Sequence, residues 1–150
     1  MKRIAIFASG SGTNAQRIVE HFAEHSSIDV EIILSNNKNA YVLERAKNLN
    51  VLAKVFTREE LKSNTGIVSL LKEKKIDLIV LAGFLWLIPQ SLIAAFPKLI
   101  VNIHPALLPK YGGKNMYGMK VHEAVIAAGE SESGIKIHLV DEIYDYDYII

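Results

Sequence analysis

The stretch Ile4-Ala5-Ile6-Phe7-Ala8-Ser9-Gly10-Ser11-Gly12-Thr13-Asn14-Ala15 decides the fold. Its first five residues are apolar without alternation, the pattern of a strand buried on both faces. A glycine-rich turn follows. From Asn14 to Phe22 the residues Ile18, Val19 and Phe22 then fall on one stripe of a helix. Strand, tight loop and helix in that order make the opening unit of an α/β sheet.

Working outward, the apolar runs Val30–Leu34, Val51–Phe56, Leu78–Ala82, Leu99–Ile103 and Ile135–Val140 read as five more strands. Helical stripes lie between them, with Val42, Leu43, Ala46 and Leu49 in Ala40–Leu49 and Val121, Ala124, Val125 and Ala128 in Val121–Ala128. Repeated strand–helix units predict an α/β fold: an open, mainly parallel twisted sheet with helices on both faces. No repeat or linker-like tract divides the 150 residues, so residues 1–150 read as a single domain.

Composition narrows the function. The 17 Lys and Arg against 16 Asp and Glu leave a formal charge of +1, which offers no basic face for nucleic acid. There are no cysteines, so thiolate metal sites and cysteine nucleophiles are excluded, and a reducing compartment fits. Apolar Ile4–Ala8 is too short for a signal peptide, and Leu78–Pro89 falls below the ~20 residues of a membrane span. A cytoplasmic protein without nucleic-acid or membrane partners is expected. No His, Asp or Glu set has metal-ligand spacing, so no metal is expected.

Ligands of open α/β sheets sit beyond the carboxyl ends of the strands, which directs attention to residues 9–14, 35–37, 83–88, 102–109 and 141–147. Gly10, Gly12 and Ala15 satisfy a loose dinucleotide pattern, but Leu34-Ser35-Asn36-Asn37 lacks the acidic ribose anchor. A monophosphate fits the loop better; the alternative is a turn in which Thr13 or Asn14 caps the next helix. Further on, alternation places Asn102 and His104 on one face, where an amide donor and an imidazolium can stabilise an oxyanion. Structural hydrogen bonding is the alternative for that pair. Of the other histidines, His21, His25 and His122 read as solvent-facing, while His138 faces away from Ile137 and Leu139 and could line the cleft in a supporting role.

Three stretches, Ser9-Gly10-Ser11-Gly12-Thr13-Asn14, Val80-Leu81-Ala82-Gly83-Phe84 and Asn102-Ile103-His104-Pro105-Ala106-Leu107-Leu108-Pro109-Lys110-Tyr111-Gly112-Gly113, resemble the folate-dependent formyltransferase family in its phosphoribosylglycinamide formyltransferase branch. The resemblance implies a Rossmann-like, three-layer α/β/α formyltransferase fold that here stops before the family's C-terminal strand and helix. It implies transfer of a formyl group from 10-formyltetrahydrofolate, as co-substrate, to the amine of glycinamide ribonucleotide in purine (IMP) synthesis, with no metal. By position, Gly12, Thr13, Asn14 and Pro105 are implied to hold the ribonucleotide. Arg58, Leu85, Trp86, Leu87, Ile88 and Asn102 are implied to contact the folate, and Asn102, His104 and Asp145 to catalyse. Small molecules are then the partners, and the protein a monomer or homodimer. Two positions depart from the family's pattern: Trp86 where many relatives carry a basic residue, and Asp147 where a glycine is usual. A formyltetrahydrofolate deformylase or other formyl-folate enzyme is the nearest alternative, and a non-catalytic nucleotide-binding α/β module a second.

Overall fold

A computed structural model describes residues 1–104 and 136–140. The strands are β1 (Lys2–Phe7), β2 (Ile28–Ser35), β3 (Leu52–Val55), β4 (Leu78–Leu81), β5 (Ile100–His104) and β6 (Lys136–Leu139). They form one sheet in the order β3-β2-β1-β4-β5-β6, all neighbours parallel except β5 and β6. The helices are α1 (Thr13–Phe22), α2 (Val42–Asn48), α3 (Arg58–Lys62), α4 (Ile67–Glu73) and α5 (Gln90–Ala95). Every strand expected from the sequence is present, within two residues of its expected ends. The stripe over Val121–Ala128 lies outside the described residues.

Side-chain alternation along the strands builds the three layers. Ile4 and Ile6 of β1, with Val80 and Val101, pack with Ala15 and Val19 of α1 and with Val42 and Ala46 of α2. Ala5 and Phe7, with Ile79, Leu81 and Ile100, pack on the other face with Leu61 of α3, Ile67, Val68 and Leu71 of α4, and Leu92 of α5. The inner strands β1, β2, β4 and β5 thus bury apolar surface on both faces, which is why their runs carry no polar alternation. In β2 the parity slips: the β1·β2 register jumps from Ile4↔Val30 to Ala5↔Ile32. Glu31 is the extra residue of that bulge, and its carboxylate reaches Lys74 at 3.6 Å. Val30 and Ile33, three residues apart, consequently share one face.

Among the described residues, no helix is long and apolar enough to cross a membrane. The strand order reverses direction of growth at β1: β2 and β3 lie on one side of it, β4 and β5 on the other. The crevice between the carboxyl ends of β1 and β4 is the topological switch point, where open sheets of this kind take their ligands.

Candidate active site

Ser9 begins the loop beyond β1. Its amide N–H donates to the Gly83 carbonyl at 3.0 Å, while its hydroxyl donates to Asn36 Oδ1 at 2.6 Å and accepts the Leu85 amide N–H at 2.9 Å. One buried hydroxyl therefore joins the segments that follow β1, β2 and β4. The sequence marked Ser9 and Asn36 only as loop residues. The readable signal is a small hydroxyl directly after the apolar run Ile4–Ala8, where a buried O–H needs partners.

Gly12 closes the loop in a left-handed conformation (φ 79°, ψ 23°) and its carbonyl accepts the Gln16 amide at 2.9 Å to start α1. A Cβ at Gly12 would sit 2.3 Å from Val42 Cγ2 and 2.9 Å from Val42 Cα, so only glycine lets α2 approach. α2 fastens the loop from the other side as well. Val42 N–H donates to the Gly10 carbonyl at 3.0 Å, and Arg45 Nε to the Ser11 carbonyl at 2.7 Å. The same guanidinium donates to Gln16 Oε1 at 2.6 Å and lies 4.9 Å from the Tyr41 ring. Thr13 is the first helical residue and no side chain caps α1, which corrects the alternative of a Thr13 or Asn14 cap. Thr13 and Asn14 are exposed at a helix start whose first amides meet no capping side chain.

Beyond β4 the chain alternates. Leu85 and Leu87 are 51% and 66% exposed, whereas Trp86 and Ile88 pack against the core on the α3–α5 face. Phe7, Phe56, Phe84 and Trp86 form a continuous aromatic wall, with neighbouring ring centroids 5.4 to 6.4 Å apart. Arg58, brought in from α3, lays its guanidinium 4.2 Å from the Trp86 ring centroid. Its helix starts with a capping box: Glu60 N–H donates to Thr57 Oγ1 and Thr57 N–H to Glu60 Oε1, both at 3.2 Å. The Thr57 amide, together with Lys54 Nζ at 3.3 Å, holds the Glu60 carboxyl below its ordinary value of 4.5. The five residues of α3 are too few to show a helical period, so this helix was not read from the sequence.

At the far side of the crevice, Asn102 and His138 are direct cross-strand partners in the β5·β6 ladder. Asn102 Nδ2 lies 3.2 Å from His138 Nε2, and His138 Nδ1 lies 3.2 Å from the Leu139 carbonyl. A carbonyl only accepts, so Nδ1 carries the hydrogen; in the neutral ring Nε2 is then the acceptor for the Asn102 amide. His138 is 2% exposed and Ile137 46%, in line with the opposite facing expected from alternation. The backbone of His104 ends β5, two residues past Asn102. The His104 side chain, Pro105, Asp145 and the departure at Asp147 lie outside the described residues. Among the described residues no three His, Asp or Glu side chains gather as a metal site.

A model of the formyl transferase family matches residues 2–150. The chain belongs to that family. Among formyl transferases, the phosphoribosylglycinamide formyltransferase of Haemophilus influenzae is 38% identical, the match covering 100% of this chain and 71% of the relative. The chloroplastic enzyme of that name from Arabidopsis thaliana is 41% identical over 99% of this chain and 53% of its own length. This chain spans about half the length of the plant relatives it matches. The crystal structure of phosphoribosylglycinamide formyltransferase from Streptococcus pneumoniae TIGR4 superimposes with a TM-score of 0.85 at 41% identity, covering 100% of this chain and 79% of that one. Glycinamide ribonucleotide transformylase 1 from Symbiobacterium toebii gives 0.87 at 32% identity, covering 100% and 71%. The α/β architecture expected from the alternating runs is the formyl transferase fold.

Proposed function

We propose that this formyl transferase moves the formyl group of 10-formyltetrahydrofolate to the amine of glycinamide ribonucleotide, a step of purine synthesis. The observation that carries the reading is the Asn102 carboxamide at the carboxyl end of β5, on the same sheet edge as the glycine loop that opens α1. The first-turn amides of α1, with Gly12, Thr13 and Asn14, would take the ribonucleotide phosphate, because a helix start presents unpaired N–H groups and a positive dipole end. Pro105 would line the same pocket. Leu85 to Ile88 would receive the pterin, with Arg58 stacked on Trp86 at the rim.

The chemistry is direct transfer. The substrate amine attacks the formyl carbon, and the carbonyl electrons move to oxygen. Asn102 Nδ2 has two hydrogens: one goes to His138 Nε2, and the other donates to the oxyanion together with the His104 imidazolium. Collapse breaks the bond from carbon to the folate N10, which takes the proton lost by the amine through His104 or a water held by Asp145. No covalent enzyme intermediate is formed, and holding both substrates in one cleft supplies much of the acceleration. The protein acts as a monomer or homodimer on small-molecule substrates in the cytoplasm, where a chain without cysteines suits the reducing environment.

Incubating the protein with 10-formyltetrahydrofolate, with and without glycinamide ribonucleotide, tests the proposal. Tetrahydrofolate release that requires the amine supports it; release at the same rate without the amine makes the protein a deformylase.

A further inference from the structure

The buried Ser9 hydroxyl has no part in the chemistry above, yet it sits at the switch point and spans it. Its single hydrogen is committed to Asn36 Oδ1 at 2.6 Å, which turns an oxygen lone pair toward the Leu85 amide at 2.9 Å. The Ser9 amide meanwhile holds the Gly83 carbonyl at 3.0 Å. Gly83 itself is in a left-handed conformation (φ 73°), so the chain turns there before the 85–88 segment begins. Two hydrogen bonds from one residue thus set both ends of that turn. By contrast, the glycine loop at residues 10–12 is held by α2, through Val42 and Arg45, and not by the Ser9 hydroxyl.

We propose that Ser9 is a positioning residue for the folate side of the cleft: its hydroxyl fixes the 85–88 backbone, and folate affinity depends on it while ribonucleotide affinity does not. The inference rests on the formyl-folate reading above. It predicts an asymmetry between the two substrates that a merely structural serine would not produce.

The test uses the full chain with Ser9→Ala and Ser9→Thr, the latter keeping a hydroxyl. Hydrogen exchange at the Leu85 amide and equilibrium binding of tetrahydrofolate and of glycinamide ribonucleotide are measured separately. Losing the hydrogen bond should accelerate Leu85 exchange and weaken tetrahydrofolate binding, each by about 10-fold, in Ser9→Ala. Ribonucleotide binding should move less than about 2-fold, and Ser9→Thr should recover most of the folate affinity. Equal weakening of both substrates, or unchanged folate binding beside faster Leu85 exchange, overturns the inference. If Ser9→Ala does not fold, Asn36→Leu, which frees the hydroxyl to turn away, must show the same asymmetry or the inference fails. Wild-type protein that binds no tetrahydrofolate overturns the formyl-folate reading and this inference with it. That outcome is distinct from wild type and Ser9→Ala binding equally well.

Discussion

Asn102 and His138 face each other across the antiparallel β5·β6 ladder, amide nitrogen to imidazole nitrogen at 3.2 Å, with the far side of the ring tied to the Leu139 carbonyl. An asparagine amide can turn end for end at little cost, and a turned amide would present its oxygen to a developing oxyanion. In the proposed mechanism, the ring tautomer set by the Leu139 carbonyl would select the productive orientation. His138→Leu should therefore lower kcat for formyl transfer about 10-fold with both KM values within about 2-fold, and His138→Gln, whose carbonyl can accept from Asn102, should recover most of it. Ring ¹⁵N chemical shifts should show a protonated Nδ1 in the wild type. A protonated Nε2 with a bare Nδ1 contradicts the assignment.

Truncating the donor itself should cost more. Asn102→Ala is expected to lower kcat about 10² to 10³-fold, the size found when one oxyanion donor is removed elsewhere. In that background His138→Leu should have no further effect on kcat, since its action passes through Asn102. Additive losses in the double variant would show that His138 works by another route.

Gly12 is where the sequence and the packing leave no latitude. Gly12→Ala combines a left-handed φ of 79° with a Cβ 2.3 Å from Val42 Cγ2. Strain and overpacking together should cost about 3 kcal/mol in urea unfolding. Val42→Ala should relieve only part of this, because the Val42 Cα itself would lie 2.9 Å from the new Cβ. Full recovery in the double variant would mean that the left-handed backbone carries no strain.

The acid side of the stability profile should carry the mark of α3. Glu60 has its carboxyl lowered by the Thr57 amide and by Lys54, so the folded state binds its proton less readily than the unfolded chain. Its contribution is present above the unfolded value near 4.5 and is lost as pH falls through the lower folded value. Glu60→Gln should flatten the stability profile over that acid window and loosen the start of α3, so Arg58 stacking on Trp86, followed by indole fluorescence, should weaken with it. An identical acid profile for Glu60→Gln and wild type would remove the capping box as the cause.

How much of this was readable beforehand follows from element length and burial. The strands announced themselves as apolar runs, buried on both faces in β1, β2, β4 and β5 and partly exposed in the edge strands β3 and β6, and α1 and α2 because their expected stripes run over residues 14–22 and 40–49. Helices α3 and α5, at five and six residues, complete too little of the period, and the seven-residue α4 has no counterpart among the expected helices. The bulge at Glu31 was also hidden, since a slip in parity needs the neighbouring strand's register to be seen. In the site, residue types marked Asn102 and the glycine loop, the family resemblance alone implied Arg58 and Trp86, and the stacking of these two joins them at one rim. Ser9 and Asn36 escaped because their role is a tertiary hydrogen bond between loops 27 residues apart, which leaves no local pattern.

Removing the imidazole of His104 tests the assigned mechanism. His104→Ala should lower kcat by about 10³-fold or more while both substrates bind within a few-fold of wild type, because in the proposed mechanism the ring acts on the charge of the transition state. Equal loss in KM with kcat unchanged would make His104 a binding residue.

The central claim concerns where the formyl carbon goes. It is tested most directly by following ¹³C-formyl-labelled 10-formyltetrahydrofolate with the wild-type chain and excess glycinamide ribonucleotide in a single turnover. The label should appear quantitatively in the formylated ribonucleotide amide, with no free formate and no consumption when the ribonucleotide is omitted. Label recovered as formate, or a cofactor left intact with both substrates present, would contradict the account.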